Sequence, residues 1–154
     1  MTGLVEAFAL AVAALNAVTA VYGGWLWRER TLPERAARRF WLVLRGAQLL
    51  ALVFAVLVGV LTIAGHHASE LLFYLYALLP LAVSFIAEQL RVTSAQTILD
   101  QRDIEDAQGV AELPEQEQRA IVAAIVRREI GVMSLSALVV TFLALRAAGT
   151  AHGF

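Results

Sequence analysis

Six charged residues fall where apolar runs of the chain give out: Arg45, Glu88, Arg91, Arg127, Arg128 and Glu129. Carboxylates and guanidiniums at the edge of a low-dielectric region have three uses. They pair and fix the register of packed helices, they pass or bind an ion or proton, or they cradle a small anion or headgroup. Counting residues puts them on one level. Glu70 to Glu88 is 18 residues and Arg146 back to Glu129 is 17, roughly 27 and 26 Å of helix. Arg45 to Gly65 is 20 residues, about 30 Å. A central charge costs at least ~2.5 kcal/mol even on the insertion scale, so such groups pair inside a bundle. Arg45 with Glu88 or Glu129 is the natural pair. The level is interfacial and not central, which favours an ion-pair layer with snorkelling arginines over an ion or headgroup site.

A second group holds all three histidines: His66 and His67 with Glu70 nearby, and Glu6 and His152 at a distance in sequence. Imidazole with carboxylate suits zinc or copper. Only His66, His67 and Glu70 are local, and adjacent residues point apart on a helix, so the competing reading is a polar turn. A third group is acidic: Asp100, Asp103, Glu105, Asp106, Glu112, Glu115 and Glu117. It lacks the alternation of a calcium loop. Its simplest use is a solvated helix face; a more specific one is docking on a basic loop or a basic partner.

Other chemistries are excluded or unsupported. Cysteine and lysine are absent, which removes disulfides, thiolate metal sites, thiol catalysis and Schiff bases. No histidine sits inside an apolar run, so paired-imidazole haem ligation has no support. There is no glycine-rich phosphate loop and no plausible Ser/His/Asp set. No enzyme activity and no cofactor is expected. A net charge of −1 argues against a nucleic-acid partner.

The elements that must position these groups are apolar. Hydrophobic residues make up 60% of the chain and charged ones 16%; with a mean hydropathy of +0.71 this is a membrane composition. Residues 7–27 carry no charge over 21 positions, enough to cross the ~30 Å hydrocarbon core as a helix. A secretory signal needs positive charge before its apolar run; here Glu6 precedes and arginines follow, so this helix is read as retained. Ala9, Ala13 and Ala17, continued by Ala20 and Gly24, form a small-residue pattern suited to close helix approach. Asn16 lies near mid-span, where an amide is expected to bond to a neighbouring helix. Runs 46–65, 71–87 and 130–145 are likewise uncharged. Pro80 inside the third is expected to kink it. The spans are placed at about 4–27, 42–65, 71–90 and 128–147.

Between the first two spans, residues 28–39 carry Arg28, Arg30, Arg35, Arg38 and Arg39 against Glu29 and Glu34. Pro33 suits the first turn of a short interfacial helix, and Trp25, Trp27, Phe40 and Trp41 flank it as interfacial anchors. Anionic lipid headgroups are its default partner. Between the last two, Val92, Ala95, Ile98 and Leu99 prolong one apolar face, and Ile121, Val122, Ile125 and Val126 supply another. With Gly109 as a helix end and Pro114 opening the next helix, residues 91–127 read as an antiparallel helical hairpin turning at 107–113. Eleven of the twelve arginines, all but Arg146, then lie on one side. The positive-inside rule makes that side cytoplasmic, with both termini external in the cell membrane.

The expected fold is all-α. It is a single polytopic membrane domain over residues 1–154, a four-helix bundle running up-down-up-down, with its third and fourth spans prolonged into a cytoplasmic hairpin. The expected role is an accessory or structural membrane protein binding a partner, or a second copy, through that hairpin. Two alternatives stand beside it. One is a small oligomeric channel or transporter using the inner charged layer; the other is a metal-binding protein using His66, His67 and Glu70. Mid-membrane polarity is sparse, so a channel would have to form between subunits.

Overall fold

The computed structural model describes residues 2–29, 31–101, 104 and 107–153, with backbone alone at 94, 95 and 107. Ala95, Arg30, Asp103, Glu105 and Asp106, counted above on the hairpin face, the basic loop or the acidic run, therefore lie outside the described side chains. Among the described residues the chain is all-helical: α1 (Thr2–Arg28), α2 (Glu34–Ile63), α3 (Leu71–Asp100), the short α4 (Ala107–Ala111) and α5 (Glu115–Gly149). Four of these, α1, α2, α3 and α5, are long and apolar enough to cross a membrane. Many of their large apolar side chains point outward, among them Val21, Val56, Ile63, Leu71, Phe85, Leu135 and Phe142. Outward apolar side chains on four such helices suit a multi-pass membrane protein, whose exterior would meet lipid.

The helices pack as a bundle in which α5 lies against both α1 and α3, and α2 lies against α1 and α3. Two apolar clusters hold it. One joins Val5 and Val12 of α1, Phe54 and Val58 of α2, Phe73 of α3 and Val140 of α5. The other joins Leu26 of α1, Phe40 and Leu44 of α2, Ala87 of α3, and Ile130 and Met133 of α5. Lipid is as apolar as leucine, so these contacts stabilise through close packing and not through expulsion of water.

Small residues make that packing possible. At Gly23 a Cβ would collide with the ring of Phe40 and sit 3.0 Å from Ser134. Ser134 Oγ donates to the carbonyl of Ala20 at 2.7 Å, tying α5 to α1 in the same layer. Of the small-residue stripe on α1, Ala9, Ala13 and Ala20 are buried and Ala17 is partly exposed.

Several local details depart from the sequence reading. The basic loop is shorter than 28–39. Pro33 caps α2 in an extended conformation with Glu34 in its first turn, so Arg35, Arg38 and Arg39 ride on α2 itself. Among the described residues the helix that Pro33 opens is not a separate interfacial one, because it continues directly into the apolar run as α2. Gly109 does not end a helix; it lies within α4. The 107–113 turn is thus partly helical, and Gln118 Nε2 clips it to α5 by donating to the carbonyls of Ala111 and Leu113. Pro80 lies inside α3, as the sequence places it. Asn16 is buried, but its amide donates to Val12 O of its own helix at 2.9 Å. Its neighbours in the packed face are apolar or small, so the nearest acceptor is the carbonyl one turn back. Thr19 and Thr141 do the same.

The α2–α3 turn is set by Gly65 at φ +88°. His66 N–H donates to Leu61 O, and Gly65 N–H to Thr62 O, a pairing that closes a helix around one left-handed residue.

Candidate functional site

Arg45 projects from the fourth turn of α2, where its apolar run begins, Glu88 and Arg91 from one face of α3, three residues apart, and Glu129 from α5. The bundle brings these four together. Arg45 Nη1 donates to Glu88 Oε1 at 2.7 Å and to Gln48 Oε1 at 2.7 Å. Gln48 Nε2 donates to the same Glu88 oxygen at 3.2 Å. The other oxygen, Oε2, accepts from Arg91 Nε at 2.9 Å. Arg91 then reaches Glu129, with Nη1 3.8 Å from Oε2, an ion pair without hydrogen-bond contact. Its guanidinium also covers the ring of Trp41, 5.2 Å from the centroid, a favourable cation–aromatic geometry.

Glu88 is therefore the hub. Its side chain is 24% exposed and that of Glu129 17%, against 54% for Arg45. The carboxylates lie inward and the Arg45 head outward, as long cationic side chains do at a membrane edge. Three helices, α2, α3 and α5, are fixed to one another by this chain of contacts. Gln48, one turn from Arg45, and Trp41 are members that the reading by charge did not include. The spacing of Gln48 from Arg45, i to i+3, is the signal that could have found it.

The other two residues of the expected layer lie apart from the four. Arg127 Nη2 donates to the carbonyl of Glu29 at 2.7 Å, so it caps the end of α1, where a cation meets the negative end of the helix. Arg128 is exposed on the far side and lines a groove with Trp27, Ile98 and Gly131. The inner charged level is thus split: a four-residue network on one side of α5, and two arginines toward α1.

At the opposite end, His66, His67 and Glu70 are all exposed in the α2–α3 turn. Among the described residues no three of His, Asp and Glu come together as a metal-holding group. The backbone supplies the ordered contact here: Ser69 N–H and Ser69 Oγ both donate to the carbonyl of His152 at 2.9 Å. Tyr74 accepts the N–H of Ala68, and Arg146 sits over the Tyr76 ring. His152 thus serves through its carbonyl.

The basic and acidic segments stay separate among the described residues. Arg35, Arg38 and Arg39 line a shallow groove of about 430 Å³ with Glu34 and Leu42. The acidic run keeps its pairing local: Arg119 binds Glu115 one turn away.

Comparison of the chain with known protein families, characterised proteins and solved structures finds no match.

Proposed function

We propose that the chain is a non-enzymatic membrane protein of the cell membrane. Its four spans run up-down-up-down with both termini external, and α3 and α5 form a hairpin on the cytoplasmic side. The hairpin binds a partner protein or a second copy of the chain. The observation that carries this reading is the occupancy of Glu88. Arg45 and Gln48 take one of its oxygens and Arg91 the other. The network of Arg45, Gln48, Glu88, Arg91 and Glu129 is thereby used in locking α2, α3 and α5, which leaves the hairpin as the surface for a protein partner.

Beyond that level both helices continue. Glu88 to Asp100 is 12 residues and Glu115 to Glu129 is 14, about 18 and 21 Å of helix. Ile98 and Ile121 are buried on these prolongations, while Val122 is 53% exposed. An exposed apolar side chain roughly 10 Å beyond Glu129 by helical rise, with Ile125 and Val126 on the neighbouring turn, suits the apolar surface of a partner.

A photoreactive amino acid at Val122, activated in intact membranes, tests this reading. A discrete crosslinked band is expected. A monomeric protein with no adduct at Val122 removes the proposal. The transport alternative has less support, because Glu88 has no free carboxylate oxygen to offer an ion.

A further inference from the structure

One surface feature is absorbed neither by the charged network nor by the hairpin. Between α1, α3 and α5 runs an open groove of about 580 Å³ that includes Trp27, Ile98, Arg128 and Leu135. A second, of about 320 Å³, follows α1 and α5 further along and reaches Val21 and Leu138. The two share Trp27, Gly131 and Leu135, so they form one continuous channel open to the lipid side.

Its two ends differ in chemistry. The upper part is walled by Val21, Gly24, Leu135 and Leu138, with Ser134 already bonded to Ala20. The lower part carries Arg127 and Arg128. Arg127 is directed at the Glu29 carbonyl, but Arg128 is exposed and makes no ion pair among the described residues. The indole nitrogen of Trp27 lies 3.1 Å from where a Cβ on Gly131 would be. The absence of a side chain at Gly131 thus leaves the groove open beside the indole. Arg128 to Leu138 is 10 residues, about 15 Å of helix and the depth of one leaflet of a ~30 Å hydrocarbon core.

The geometry points to a binding groove for one anionic phospholipid, with an acyl chain along Gly24, Gly131, Leu135 and Leu138 and the phosphate at Arg128. Charge complementarity selects this occupant. A protein helix would leave the Arg128 guanidinium buried against apolar surface, whereas a phospholipid has an anion and a chain of the right length on one molecule. The groove beside Arg35, Arg38 and Arg39 has charge but no apolar channel attached, so it attracts headgroups without gripping a chain. This inference rests on the membrane placement of the helices and not on the hairpin's partner. Crosslinking at Val122 can fail while lipid selectivity persists, and the reverse.

Native mass spectrometry of the full chain, released from detergent containing equal phosphatidylglycerol and phosphatidylcholine, tests it. One phosphatidylglycerol per chain is expected, retained about fivefold over phosphatidylcholine. Arg128→Gln should abolish the preference, while Arg38→Gln should leave it. Leu135→Trp, which fills the groove from its exposed side, should reduce retention of the lipid, while Val56→Trp, exposed on α2 away from the groove, should not. Melting curves identify any variant that is misfolded. Equal retention of the two lipids overturns the proposal. So does either groove variant behaving as its control, or displacement of the lipid by glycerol phosphate at equal concentration.

Discussion

Arg45 and Glu88, 43 residues apart in the chain, meet at 2.7 Å. Glu88 in turn holds Arg91 on its other oxygen, so one carboxylate neutralises cations from two helices. Glu88→Gln removes the charge from both pairs at once. The site is partly solvated, which weakens each pair, yet two charge-assisted hydrogen bonds are degraded together. A loss of roughly 1–2 kcal/mol is expected. A denaturation titration in mixed micelles measures it. An unchanged midpoint for Glu88→Gln would show that the network does not hold the bundle.

The packing at Gly23 makes a sharper prediction. Any Cβ there meets Phe40 and Ser134, and overpacking a tight contact costs about 1–3 kcal/mol. Gly23→Ala should therefore lower the melting temperature, whereas Gly59→Ala, with open space around it, should leave it unchanged or raise it. Equal melting temperatures for the two variants would contradict the α1–α2–α5 contact described above.

Transport is decided by flux. Liposomes holding the protein should pass ions no faster than empty ones. Flux above that level, abolished by Glu88→Gln and Glu129→Gln, would replace the partner-binding proposal with a channel or carrier.

Sidedness can be read with a single introduced thiol, because the chain has no cysteine of its own. His67→Cys should react with an impermeant maleimide from outside whole cells. Gln116→Cys should react only after the membrane is opened. The reverse pattern would invert every side assigned here.

Metal binding is checked by elemental analysis after purification in zinc- and copper-supplemented medium. No stoichiometric metal is expected, since His66, His67 and Glu70 do not converge. A stoichiometric metal lost in His66→Ala would restore the metal site.

The helices were readable because charge-free runs of sixteen or more residues leave no other way to satisfy a backbone in lipid. The common depth of Arg45, Glu88 and Glu129 was readable because helical rise is constant. Azimuth was not. Depth alone cannot separate Glu129, which turns toward Arg91, from Arg127 and Arg128, which turn toward α1 and lipid. That separation depends on how α5 is rotated between its two neighbours, and small residues such as Gly23, Gly131 and Ser134 set the rotation through contacts that no periodicity encodes. The continuity of α2 was missed for a related reason. A helix opened by Pro33 was expected, but a run of arginines suggested that it would stay short, whereas it continues unbroken into the apolar run. Asn16 taught the same lesson on a smaller scale, since a carbonyl on its own helix was nearer than any neighbour's.

The position of α5 between α1 and α3 has a consequence in time. From Arg28 at the end of α1 to Gly149 at the end of α5 is 121 residues, on the order of 10 s of synthesis at ~5–20 residues per second. For that interval α1 has left the ribosome without the helix that covers Val12 and Leu26. Its companion meanwhile is α2, through Phe40 beneath Gly23. Phe40→Ala should then reduce the amount of chain that reaches the membrane intact by more than its effect on the finished bundle would account for, because α2 acts as the escort of α1 before it becomes a wall.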